Sequence, residues 1–137
     1  MKNLFALILL LICSSSLADA ADPILGLWKK SDGQATIQIT IEKGKLVGRV
    51  TAAKDTTRTH DTKKPDPKLR NRKIIGLPVV WGFYKKDGKW EGGRVYDSSN
   101  GKTYQGKIWL EGNDKMMMRG FKGVSLLGRS AEWYRVK

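Results

Sequence analysis

Residues 34–42 place Ala35, Ile37, Ile39 and Ile41 in strict alternation with Gln34, Thr36, Gln38, Thr40 and Glu42. A period of two, rich in β-branched side chains, is the pattern of an antiparallel strand with one buried face and one wet face. The same grammar recurs along the chain. Leu25–Lys30 reads as a first strand, entered through a turn at Pro23. Lys45–Ala53 alternates again, with Leu46, Gly48, Val50 and Ala52 on one side. Val79–Lys86 places Val79, Trp81 and Phe83 on one face. Lys89–Leu110 reads as two strands around the turn residues Asp97 to Gly101. Lys115–Phe121 and Ser130–Val136 complete the set.

Short polar turns join these runs, among them Ser31-Asp32-Gly33, Lys43-Gly44, Asp87-Gly88 and Gly112-Asn113-Asp114. No amphipathic helix of useful length interrupts them. The expectation is an all-β chain of eight antiparallel strands in an up-and-down meander. A sheet of that size can close on itself and remove its edges, with an interior that is filled or holds one small ligand. A two-sheet sandwich is the alternative.

One segment breaks the pattern. Residues 54–78 are polar at first and then carry Pro65-Asp66-Pro67. Pro67 fits the first position of a short helical turn with Asp66 as its cap. So long a connection in a small β domain is often functional. Leu69, Ile74, Ile75 and Leu77 offer it apolar docking points.

The first 20 residues are of another kind. Lys2, the apolar run Leu4–Ile12 and Ala18-Asp19-Ala20 form the n-region, h-region and cleavage site of a secretory signal peptide. The apolar run is shorter than the roughly 20 residues a membrane span needs. Cleavage after Ala20 is expected to leave residues 21–137 as one domain, periplasmic or secreted, and monomeric. The single cysteine, Cys13, departs with the signal, so disulfides, thiolate metal sites and cysteine catalysis are not expected.

The formal charge is +13. Such a balance favours anionic partners: phosphates, carboxylated polymers, lipid head groups or acidic proteins. The cations are spread along the chain, and no nucleic-acid-binding signature is present. Catalysis finds little support. His60 is the only histidine and lies in the polar segment. The acids Asp61, Asp66, Glu91, Asp97 and Glu132 are scattered, which argues against a metal site or a paired-carboxylate reaction. No cofactor is expected.

The candidate ligand-binding residues come from the Lys89 strand. If that strand is regular, Trp90, Gly92, Arg94 and Tyr96 share a face. Arg94 between two aromatics would then anchor a carboxylate or phosphate inside a pocket. Tyr104 on the neighbouring strand is its expected partner, and Trp81 adds aromatic surface. Arg119 stands beside the glycine-rich stretch Gly120–Gly128, which resembles an anion nest in composition. Two alternatives stay open: Gly92-Gly93 forms a bulge that shifts the register, or Arg94 lies outside with its stem along Tyr96.

Two resemblances sharpen the fold. Gly26-x-Trp28 on the first strand, with Arg135 on the last, resembles the calycin pattern of lipocalins, fatty-acid-binding proteins and avidins. In those the tryptophan closes the barrel end and a basic residue covers it. Further, D-P-I-L-G-L-W, P-D-P-K-L-R, I-I-G-L-P-V-V-W-G-F, W-E-G-G-R-V-Y-D, G-K-T-Y and R-G-F-K-G-V-S-L-L-G-R-S resemble a family of small exported bacterial proteins catalogued as a domain of unknown function. That resemblance implies a signal peptide and a calycin-like barrel, with no agreed activity. The family usually has Asn before P-D-P, where this chain has Lys64. The expectation is therefore a non-enzymatic binder of a small amphipathic or acidic ligand. The alternative is a basic envelope module that contacts an anionic polymer or partner protein. A roomy interior favours the first reading and a filled one the second; a solvent-exposed Arg94 makes the second the leading one.

Overall fold

The computed structural model describes residues 22–137. The expected signal peptide, with Cys13, the Ala20 cleavage site and Ala21, lies outside the described residues. The eight strands are β1 (Gly26–Lys30), β2 (Ala35–Glu42), β3 (Lys45–Ala53), β4 (Pro78–Lys86), β5 (Lys89–Asp97), β6 (Lys102–Leu110), β7 (Lys115–Phe121) and β8 (Arg129–Arg135). They are hydrogen-bonded in chain order, and β8 returns to β1 to close an antiparallel barrel. Closure satisfies both edges, so no strand is left as a template for aggregation. Two single 3₁₀ turns, Pro67–Leu69 and Ser125–Leu127, lie in loops. Asp66 caps the first, its carboxylate accepting from the Lys68 N–H at 3.0 Å.

The barrel has two unlike ends. At one, the tight turns 43–44, 87–88 and 111–114 meet residues 22–25. Here Trp28 is fully buried and its indole N–H donates to the Ile24 carbonyl at 2.9 Å. The Arg135 guanidinium lies 4.3 Å from the Trp28 ring centroid and donates to the Leu25 carbonyl at 2.9 Å. Gly26, at φ 128°, brings the backbone so close that a Cβ would stand 3.1 Å from Arg135 Nη1. The lower interior is filled by Ile39, Leu46, Phe83, Trp90, Ile108 and Met116.

The other end carries turn 31–34, the segment 54–77, turn 98–101 and the loop 122–128. The long segment is docked, not loose. Ile74 and Leu77 are buried, while Ile75 is exposed. His60 and Lys73 bridge within it, and Asp61 reaches under it to β5.

Two bulges correct the expected strand faces. Gly82 and Gly92 both adopt φ near 77° (76° and 78°), and the β5–β6 register shifts between Glu91 and Arg94. Below the bulge Trp90 points inward; above it the inward positions are Gly93 and Val95. A Cβ on Gly93 would overlap the Phe83 ring, and one on Gly106 would stand 2.7 Å from it. The Phe83 ring thus fills the space over Gly93 and Gly106, where only glycine leaves room for it. Trp81 and Arg94 oppose each other in register on the outer face. Trp81 does not share a face with Phe83, and Arg94 does not lie between Trp90 and Tyr96 inside the barrel.

Candidate functional site

Above the Phe83 layer the barrel holds a cavity of about 1150 Å³ that opens between the loops of the second end. Small-ligand clefts run to roughly 300–1,000 Å³, so the volume is ample. Its inner wall is apolar: Ile37, Val50, Val80, Val95, Met118, Ala131 and Trp133. Period two places Ile37, Val50, Met118, Ala131 and Trp133 on the dry face of β2, β3, β7 and β8, and the bulges bring Val80 of β4 and Val95 of β5 to the same face.

Behind this wall lies one unpaired polar atom. Trp133 is buried, and its Nε1–H has no hydrogen-bond partner among the described residues. A buried N–H without an acceptor is costly and is satisfied by any oxygen brought to it.

The mouth is charged. Arg58, Lys63, Lys122 and Arg129 line it, and none lies within ion-pair distance of a carboxylate among the described residues. The acids beside them are already engaged. Asp32 pairs with Lys30 at 3.6 Å. Asp55 accepts from the Thr57 hydroxyl and N–H, which hold its carboxyl below the usual range. Asp97 accepts from Ser99. Glu132 accepts from the Tyr134 hydroxyl and bridges Lys115, which likewise lower its carboxyl. The cations are thus the groups with unused capacity.

Arg58 is held most firmly. It donates through Nη2 to the Ser98 carbonyl, and its buried Nε–H has no partner. The loop that carries it is fixed by Asp61. That carboxylate is fully buried; it accepts from the Tyr96 hydroxyl at 2.5 Å and pairs with Arg72 at 3.1 Å. Burial, then the neighbouring carboxylate, push the Tyr96 hydroxyl well above its ordinary value.

The sequence-derived candidates divide. Tyr104 opposes Val95, lines the cavity and accepts from Asn100 at 3.1 Å. Tyr96 is buried at the same end, but its hydroxyl serves Asp61. Trp90 lies below the cavity, in the packed half. Arg94 is exposed on the outer face, its guanidinium donating to the Gly93 carbonyl at 3.1 Å. Trp81 is on that same face. Arg119 is outside too, where it clasps Ser125 and Leu126 carbonyls and the Ser130 hydroxyl. Arg94, Trp81, Trp90 and Arg119 therefore do not line the cavity. Sequence reasoning missed Arg58, the Trp133 N–H and the Asp61 anchor. His60 is exposed and is not a lining residue.

A closed eight-strand antiparallel barrel, sealed at one end by a Gly-x-Trp under a last-strand arginine and open at the other, is a lipocalin-like barrel. Residues 26–135 match the family described as "Uncharacterized protein conserved in bacteria (DUF2147)", and the chain belongs to it. No curated protein matches the sequence. Among solved structures it is similar to protein HP1028 from Helicobacter pylori, described as belonging to the lipocalin family. The TM-score is 0.74 and the identity 21%, with 82% of each chain covered.

Proposed function

We propose that this chain is an exported, non-catalytic binding protein for a small amphipathic ligand with an acidic head group. The observation that carries the reading is the cavity: an apolar interior that ends in four cations without carboxylate partners among the described residues. An aliphatic or aromatic body would fill the space between Ile37, Val80 and Met118. A carboxylate or phosphate would meet Arg58 and its neighbours at the mouth. The exposed Arg94 removes the expected interior anchor and by that criterion favours a basic-surface role. The cavity outweighs it, because Arg94 bore only on where a head group would be held, and Arg58 supplies that hold.

Two experiments test the reading. Native mass spectrometry of protein purified from its own cell envelope should reveal a co-purified small acid. Titration with lauric acid and with lauryl alcohol separates head group from tail. One charge-assisted hydrogen bond contributes about 1.5–3 kcal/mol, so the acid should bind roughly tenfold to a hundredfold more tightly. Equal affinities would remove the acidic head group from the proposal; no binding of either would remove the ligand.

A further inference from the structure

The loop from Lys122 to Arg129, between β7 and β8, is built against ordinary folding logic. Val124, Leu126 and Leu127 are 56%, 88% and 80% exposed. These side chains are not exposed because the loop hangs free. Arg119, on the barrel wall, donates to the Ser125 carbonyl at 2.7 Å and to the Leu126 carbonyl at 3.3 Å. The clasp fixes the backbone with its apolar groups turned to water. Cations flank the tip on both sides: Lys122 before it, Arg129 after it, and Arg119 beneath. Between Arg119 and Arg129 the chain has no acidic residue. Leu127 also borders the cavity mouth.

We propose that this loop docks the open end of the barrel onto an anionic lipid bilayer, with Val124, Leu126 and Leu127 seated in the head-group layer. An apolar tip ringed by lysine and arginine is the arrangement that interfacial membrane binding uses: burial of the tip adds to attraction by anionic lipid. A second copy is the poorer occupant. A three-residue tip is far below the roughly 1,200–2,000 Å² that a stable protein interface buries. Two such tips would also bring like charges together on chains that each carry +13. Docking would face the cavity mouth toward the membrane, the phase that stores amphipathic acids. The loop observations stand apart from the ligand reading, and the test needs no ligand.

The test is co-sedimentation with vesicles of phosphatidylglycerol and phosphatidylethanolamine, against vesicles of phosphatidylcholine alone. The wild type should bind the anionic vesicles, lose them as salt rises, and leave the neutral ones. Leu126→Asp with Leu127→Asp should weaken binding at least about tenfold, since it removes the inserted groups and adds repulsion. Lys122→Glu with Arg129→Glu should do likewise. Lys45→Glu with Arg94→Glu changes net charge equally but away from the loop, and should stay within about twofold of wild type. Leu126→Gln, a milder change at an exposed position, guards against misfolding, and urea midpoints of all variants should match. The proposal is overturned if the leucine variants bind like wild type, if the control pair loses as much as the loop pair, or if wild type ignores anionic vesicles. A wild-type dimer in sedimentation velocity that the leucine variants dissociate, without vesicle binding, would also overturn it and make the loop a self-contact. Residues 1–21 are the same in every variant, so the comparison isolates the loop.

Discussion

A guanidinium at the mouth of an apolar cavity can give its charge to water, to a neighbouring carboxylate or to a ligand. Asp55 feels the Arg58 charge but lies beyond ion-pair distance and makes its strongest hydrogen bonds to Thr57, and the Arg58 Nε–H is buried without an acceptor among the described residues. Arg58→Met keeps most of the stem and deletes the charge. It should weaken an acidic amphipath by about 1.5–3 kcal/mol, read by calorimetry, while a neutral one of equal length is unaffected. Arg94→Met, on the outer face, should change neither affinity. If the two substitutions are interchangeable, the mouth does not read charge. Tyr96 makes a different prediction. Its hydroxyl is held protonated by burial and by donation to Asp61, above the ordinary value of 10.0. Below about pH 10 the proton is on in folded and unfolded chains alike, so the stabilisation is fully present. As pH rises past that value the unfolded chain gives up the proton first, and stability is lost. Urea unfolding at rising pH should therefore show wild type losing its advantage over Tyr96→Phe above about pH 10. Parallel pH profiles for the two proteins would mean that the hydroxyl is not held.

Bulges decide what each strand can present. Gly93 faces Phe83 with no room for a side chain, so Gly93→Val should overpack the barrel and cost about 1–3 kcal/mol or more in urea unfolding. A neutral effect would show that β5 can shift back to a regular register. The same pair of residues explains what the sequence discloses and what it hides. The strands are legible because each carries its own period of two and each turn its own polar cluster. Even the capped turn at Asp66-Pro67 is a local matter of three residues. Trp90-Glu91-Gly92-Gly93-Arg94 is different: the letters suit a regular strand and a bulged one equally. The bulge sets Gly93 against Phe83 on the neighbouring strand, a contact that no local pattern contains. Arg58 and Asp61 are hidden for a related reason. They lie in an aperiodic polar segment, and only its docking on Tyr96 gives them a place. The closing contact of Trp28 and Arg135 was readable from a motif; the register that makes a cavity above it was not.

At the scale of the whole barrel, the packed core and the open cavity lie at opposite ends, and two tryptophans tell them apart. Trp28 is buried in the packed half, hydrogen-bonded to Ile24 and covered by Arg135. Trp28→Ala should cost roughly 3–5 kcal/mol, as large-to-small core changes do, and Trp28→Phe less. Either should leave the affinity of the surviving folded protein unchanged. Trp133 is equally aromatic and almost equally buried, but it stands in the cavity wall with an unpaired N–H. Trp133→Phe retains much of the apolar surface and removes a donor that the folded chain leaves unsatisfied. Stability should change by less than about 1 kcal/mol, because no intramolecular hydrogen bond is lost. Affinity for an amphipath should fall, because Trp133 lines the cavity and its truncation reshapes the wall. Urea midpoints and dissociation constants measured on the same preparations give both readouts. The two-ended account fails if Trp28→Phe weakens binding as much as Trp133→Phe does. In that case the filled half transmits to the cavity, and the Phe83 layer between them is not the partition its packing indicates.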